Sequence, residues 1–160
     1  MLELQDETQK RTGLTADSHA EATIAAIALF GAKRIAVASR WSEQLNAALR
    51  AYLTAADLEI MAMTGVGQWA KQAFSMSIDE GVKLAFQLGH EAMRKAPDAE
   101  LLLLPGGAWG SLAAVPVLED QYGIPVVTNP IAEVWRLIDA GIAPPVKGWG
   151  RLFASPARRK

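Results

Sequence analysis

The sequence predicts a single doubly wound α/β lobe, a mostly parallel four-stranded sheet with helices on both faces in three layers (α/β/α). Two observations predict it. Short apolar runs alternate with helix-favouring stretches along most of the chain, the pattern of right-handed crossovers between parallel strands. Those runs are apolar throughout rather than at every second residue, as in strands covered on both faces. With 160 residues, 51% hydrophobic and 21% charged, the chain has enough apolar side chain for one core of ordinary size.

Each element has its own signal. Residues 18–30 (SHAEATIAAIALF) are rich in alanine and other helix formers, and Gly31 supplies a stop. Ile35-Ala36-Val37-Ala38 forms the first strand. Ser42 is placed to cap a helix running to about Ala55. Leu58 to Met63 reads as a second strand, broken by a turn at Gly65-Val66-Gly67. Residues 68–78 carry no clear period. Ser77 stands three residues before Glu80, a capping box for a helix that holds Val82, Leu84, Ala85, Phe86, Leu88, Ala92 and Met93 and closes before Pro97. Leu101-Leu102-Leu103-Leu104 is the most apolar strand and the expected centre of the sheet. Pro105-Gly106-Gly107 turns the chain into a helix from about Ser111 to Gln121. Ile124 to Thr128 is the last strand, and Ile131 to Ala140 the last helix. The expected organisation is an N-terminal extension over 1–16, the lobe over 17–141, and a Gly/Pro-rich tail over 142–160.

Composition narrows the function. Lys+Arg is 16 and Asp+Glu is 17, a net charge of -1, so the chain lacks the clustered basic face that nucleic acid requires. Its one basic cluster, Arg158, Arg159 and Lys160, reads as a solvated tail. No apolar run reaches the roughly 18 residues needed to span a bilayer, and the polar, acidic N-terminus is unlike a signal peptide. A cytoplasmic protein without nucleic-acid or membrane partners is expected. The absence of cysteine excludes disulfides and thiolate chemistry from these residues. With only His19 and His90, no cluster at metal-ligand spacing is visible.

Ligands of open parallel sheets bind beyond the carboxyl ends of the strands. Those ends are Ser39-Arg40-Trp41, Pro105-Gly106-Gly107-Ala108-Trp109 and Thr128-Asn129-Pro130. The Gly-Gly turn, opening a helix, is either a donor of backbone N–H groups to an anion or a plain tight turn. Gly65-Val66-Gly67 lacks the third glycine of a dinucleotide loop. Ser18-His19 reads as a capping pair, since neighbours on a helix point about 100° apart. His90 suits the C-terminal part of its helix. Trp69, Trp109, Trp135 and Trp149 read as core, or as an aromatic wall or subunit interface.

From Thr12 onward the chain resembles the second lobe of arylmalonate decarboxylases and maleate isomerases in the aspartate/glutamate racemase superfamily. The resemblance rests on TGLTADSHAEATIAAIALFGAKRIAVASRW, on Asn46, on LLLLPGGAWGSLAAVPVLEDQYGIPVVTNP and on GWGRLF. It implies a flavodoxin-like lobe that normally faces a second lobe, with a carboxylate held between them, cysteine chemistry, and neither metal nor organic cofactor. It places the family's cysteine at Pro105, whose ring offers no acidic proton, no sulfur and no N–H. It also points to Ser39, Trp41, Asn46, Gly106, Gly107 and Asn129 as ligand-binding residues, and it makes residues 1–16 the remnant of a first lobe. The expected partners are a small carboxylate and a second copy of the chain, as a homodimer or higher homo-oligomer. Two activities stay open: a cofactor-independent isomerase, racemase or decarboxylase without a thiol, or a non-catalytic ligand-binding or protein-interaction module.

Overall fold

The structure, a computed structural model, describes residues 2–155; the Arg158-Arg159-Lys160 cluster lies outside the described residues. Its strands are β1 (Arg34–Trp41), β2 (Glu59–Gln68), β3 (Leu101–Leu104) and β4 (Val126–Thr128). They form one sheet in the order β2-β1-β3-β4, and every neighbouring pair is parallel. The chain therefore moves outward in one direction from β1 to β2 and in the other from β2 to β3 to β4. Right-handed crossovers then put the first connecting helix, α3 (Glu43–Ala55), on one face. They put α5 (Ile78–Lys95) and α6 (Ala114–Tyr122) on the other. Helices α2 (His19–Leu29) and α7 (Asn129–Asp139) pack on each other beside α3, where the Tyr52 hydroxyl donates to Glu21 at 3.0 Å.

The apolar runs explain this arrangement. Ile35, Ala36, Val37, Ala38, all four leucines of β3 and Val127 are fully buried. Each leucine there contributes about 1.5–3 kcal/mol relative to exposure. The capping box of α5 is formed as the sequence requires: Glu80 N–H donates to Ser77 Oγ at 3.3 Å, and Ser77 N–H to Glu80 Oε2 at 2.8 Å. The short α4 (Ala70–Ser75) occupies part of the stretch without a clear period.

Two local expectations are corrected. β2 does not stop at Met63. It continues through Gly65-Val66-Gly67 to Gln68, pairing Gly65 with Ser39 and Gln68 with Trp41 across an irregularity. Gly67 has φ +67, so the glycine pair here builds a bulge in a continuing strand rather than a reversal. Ser42 does occupy the N-cap position of α3, but its hydroxyl makes no bond to the helix.

The two ends of the chain add α1 (Leu2–Thr12), whose described side chains are largely exposed, and α8 (Arg151–Ala154). Buried Glu119 ties α8 to the sheet. It accepts from Val126 N–H at 2.9 Å and from Arg151 N–H at 2.8 Å, and Leu152 is fully buried.

Candidate functional site

The carboxyl edge of the sheet gathers every candidate that the sequence singles out there, but divides them into two groups. The first group lies at the ends of β3 and β4. Gly106 N–H donates to Asn129 Oδ1 at 2.5 Å, Asn129 Nδ2 donates to Thr23 Oγ1 at 2.8 Å, and Thr23 Oγ1 donates to His19 O at 2.7 Å. Trp109 Nε1 donates to Gly106 O at 2.9 Å. The turn after β3 is thus cross-linked to α2 and α7 by buried hydrogen bonds. Gly106 has φ +93, and a Cβ there would sit 3.1 Å from Trp41 Nε1. Both its conformation and the indole laid against it require glycine. Gly107 keeps more room, with Pro130 Cγ the nearest atom to a hypothetical Cβ at 3.6 Å. Pro105 is buried at the base of the turn.

The Gly106 N–H, one of two backbone donors expected to meet an anion, is therefore engaged with Asn129. Asn129 in turn spends both ends of its amide on the protein. Sequence reasoning could not see this, because the partner lies 23 residues away.

The second group lies at the ends of β1 and β2 and the start of α3. Ser39 is fully buried, and its Oγ accepts from Trp41 N–H at 3.0 Å. Asn46 Nδ2 donates to Trp41 O at 3.1 Å, while its Oδ1 is buried without a partner. Arg40 Nε, Ser42 Oγ and Gln68 Oε1 are likewise buried and unpartnered. Most buried polar groups in proteins are paired, and four of the six unpartnered buried side-chain atoms among the described residues fall at this strand end, the others being Gln5 Nε2 on α1 and Trp135 Nε1 on α7.

Arg40 is the residue that the sequence reading passed over. It is 5% exposed, and no carboxylate among the described residues lies within ion-pair distance of it. Desolvation by burial holds its guanidinium below the usual arginine range, with no neighbouring acid to offset it. A signal existed: a charged residue stands two positions beyond the fully apolar Ile35–Ala38 of a strand that must be internal.

The other candidates fall elsewhere. Ser18 caps α2, accepting from Glu21 N–H at 3.2 Å. His90 stacks on Phe86 with ring centroids 6.3 Å apart, and its Nδ1 meets the Tyr122 hydroxyl and Gln121 Nε2. It lies in the C-terminal part of α5, toward the opposite edge of the sheet. A depression of about 500 Å³ there is lined by Phe86, Gln87, His90, Glu91, Arg94 and Lys95, and contains none of the strand-end residues. Trp109 and Trp135 are core residues, whereas Trp69 and Trp149 are exposed. Among the described residues no three His, Cys, Asp or Glu side chains gather to hold a metal, and no helix is long and apolar enough to cross a membrane.

The architecture is a parallel α/β lobe, the class of fold in which ligands bind beyond the carboxyl ends of the strands. The family model for arylmalonate decarboxylase matches residues 1–153, and the chain belongs to that family. It is 29% identical over 153 residues to arylmalonate decarboxylase from Bordetella bronchiseptica, covering 91% of this chain and 60% of the relative. The chain thus spans less than two thirds of the length of that curated relative. Among solved structures, a mutant of arylmalonate decarboxylase in a sulfate-ion-associated form superposes with TM-score 0.85 at 27% identity, covering 96% of this chain and 66% of that one. A maleate isomerase variant from Pseudomonas putida S16 with maleate superposes at 0.78 and 22% identity, covering 95% of this chain and 60% of that one, and shares the fold.

Proposed function

We propose that this chain binds a small carboxylate at the carboxyl ends of its strands without turning it over by thiol chemistry. The observation that carries the reading is the cluster of buried, unpartnered polar atoms on Arg40, Ser42, Asn46 and Gln68. A folded lobe that leaves such groups unsatisfied gains free energy when a polar ligand pairs them. The relatives named above include proteins captured with sulfate and with maleate, which supports an anionic ligand for this member as well.

Binding without turnover follows from the groups at hand. Catalysis of proton transfer needs a side chain that exchanges a proton near neutral pH. At the edge described, Pro105 has no such proton, Trp41 offers only an indole N–H, and the Ser39 hydroxyl already accepts from the backbone. Gly107 N–H, the Trp41 indole, the Ser42 hydroxyl and the Arg40 guanidinium are donors suited to orienting a carboxylate.

Isothermal titration with maleate, malonate and phenylmalonate tests this, paired with assays for carbon dioxide release and for cis–trans isomerisation. Saturable heat with one of these acids and no product supports the reading. Turnover comparable to a working decarboxylase overturns its non-catalytic half, and absence of heat with every acid overturns the whole.

A second reading has its own observation. Val66, Trp69, Phe74 and Ile78 are all exposed, the last three to 62, 76 and 75%, and lie in the segment following β2 at the same edge. Such apolar surface suits a protein contact, and a second copy of the chain would cover it by two-fold pairing. Light scattering across micromolar concentrations checks this: a strictly monomeric mass removes the dimer.

A further inference from the structure

Arg40 stands at the penultimate position of β1, beside the irregularity at which β2 inserts an extra residue opposite it. Strand alternation places it on the face of Ala38, whose partner Thr64 donates to Leu88 O of α5, while Ser39 and Trp41 point to the other face. The other orphans gather at the same strand end: Gln68 pairs in register with Trp41, the residue after Arg40, Asn46 Nδ2 donates to Trp41 O, and Ser42 follows Trp41 in the chain. Burial sets Arg40 apart from the other described cations: it is almost fully buried, its Nε is sealed from solvent, and its side chain makes neither a hydrogen bond nor an ion pair. Lys33, Arg34, Lys95 and Arg136 pair with acids at the surface, and the unpaired Arg50, Lys71, Lys83 and Arg94 are exposed to water.

A guanidinium cannot shed its proton to escape burial, and removing it from water without a counter-charge is strongly unfavourable. Stability therefore gives no reason for arginine at this position. An anion does: the planar fork of donors matches a carboxylate bidentately. The neighbouring orphans complete the set, since Ser42 Oγ can donate to a carboxylate, and Asn46 Oδ1 and Gln68 Oε1 can accept from a hydroxyl, amine or protonated acid on the same ligand.

Resting on the carboxylate-binding reading above, we propose that Arg40 is the anion receptor of this lobe, pairing with one carboxylate of a small acid that also carries a hydrogen-bond donor. The acid is a free small molecule rather than an acidic side chain of a second copy. Dicarboxylates in their monoanionic form, hydroxy acids and amino acids have this chemistry; simple aliphatic monocarboxylates lack the donor.

The test compares wild type with Arg40→Met and Arg40→Lys. In low salt without ligand, Arg40→Met melts at the same temperature as wild type or higher, because an apolar isostere removes an uncompensated charge. With malate or aspartate, wild type shows a saturable rise in Tm. Arg40→Lys binds about tenfold more weakly or worse, and Arg40→Met at least about tenfold more weakly still. A drop in the ligand-free Tm of Arg40→Met, with acid binding unchanged, overturns the assignment and makes Arg40 structural, while the carboxylate reading survives. Absence of any shift in wild type overturns both. A concentration-dependent dimer that Arg40→Met abolishes assigns the carboxylate to a second copy and overturns the small-molecule source.

Discussion

The two halves of the sheet's carboxyl edge are built on opposite principles. Around β3 and β4 the backbone turn is closed by side chains: Asn129 bridges Gly106 to Thr23, and Trp109 caps the Gly106 carbonyl. Around β1 and β2, four side chains each leave one polar atom buried without a partner. The first half is closed by its own hydrogen bonds, although it carries the sequence motif that most suggests a site. The second half carries the unspent hydrogen-bonding capacity, although its sequence is unremarkable. A conspicuous glycine turn marks where the chain must bend; an unsatisfied group marks where something else must bind.

If the contrast is real, substitutions on the closed half should damage folding, and those on the open half should leave it intact. The largest effect is expected at Asn129. Asn129→Ala strips the acceptor from buried Gly106 N–H and removes the donor to the Thr23 hydroxyl, which keeps its bond to His19 O, a loss of about 2–4 kcal/mol by summing two buried bonds. Urea denaturation with an unchanged m-value measures it. Next is Gly106→Ala, where an L side chain at φ +93 meets the Trp41 indole; the expected loss is about 1–3 kcal/mol. Either variant retaining wild-type stability would erase the distinction between the halves.

Glu119 sharpens the closed side from beneath, at the start of β4. Glu119→Gln keeps the shape, but an amide has one accepting oxygen for the two N–H groups of Val126 and Arg151, so about 1–3 kcal/mol is lost. The pH dependence is specific. Burial raises the Glu119 pKa despite the backbone bonds and Arg151 nearby. The unfolded chain then gives up this proton first as pH rises. The contribution of Glu119 is full below the ordinary carboxylate range and is lost as pH climbs through its raised folded value. The stability gap between wild type and Glu119→Gln should narrow as pH rises out of the ordinary carboxylate range; a gap that widens as pH rises contradicts the assignment.

Much of this scaffold was legible in the sequence because it rests on local signals. Ile35–Ala38, Leu101–Leu104 and the Ser77–Glu80 capping box announce themselves within a few residues. What escaped was non-local or depended on what surrounds a residue. The extension of β2 past Met63 depends on pairing with Ser39 and Trp41, which outweighs the turn preference of Gly65 and Gly67. The engagement of Gly106 by Asn129 joins segments 23 residues apart. At the candidate site, family resemblance led to Ser39, Trp41 and Asn46 but not to Arg40, because burial without a counter-ion is a property of three-dimensional surroundings.

The smallest expected effect is the most discriminating for the open half. Ser42 occupies a helix N-cap, where replacing serine by alanine ordinarily removes about 1 kcal/mol through the lost capping bond. Here the hydroxyl makes no such bond and is buried without a partner. Ser42→Ala should therefore change ligand-free stability by no more than about 0.5 kcal/mol, or raise it slightly by removing an unsatisfied polar atom. The same variant should weaken carboxylate binding by titration, since the hydroxyl is available to donate only to a ligand. A full capping penalty in the absence of ligand would mean that Ser42 serves the helix after all, and would move this residue from the open half of the edge to the closed one.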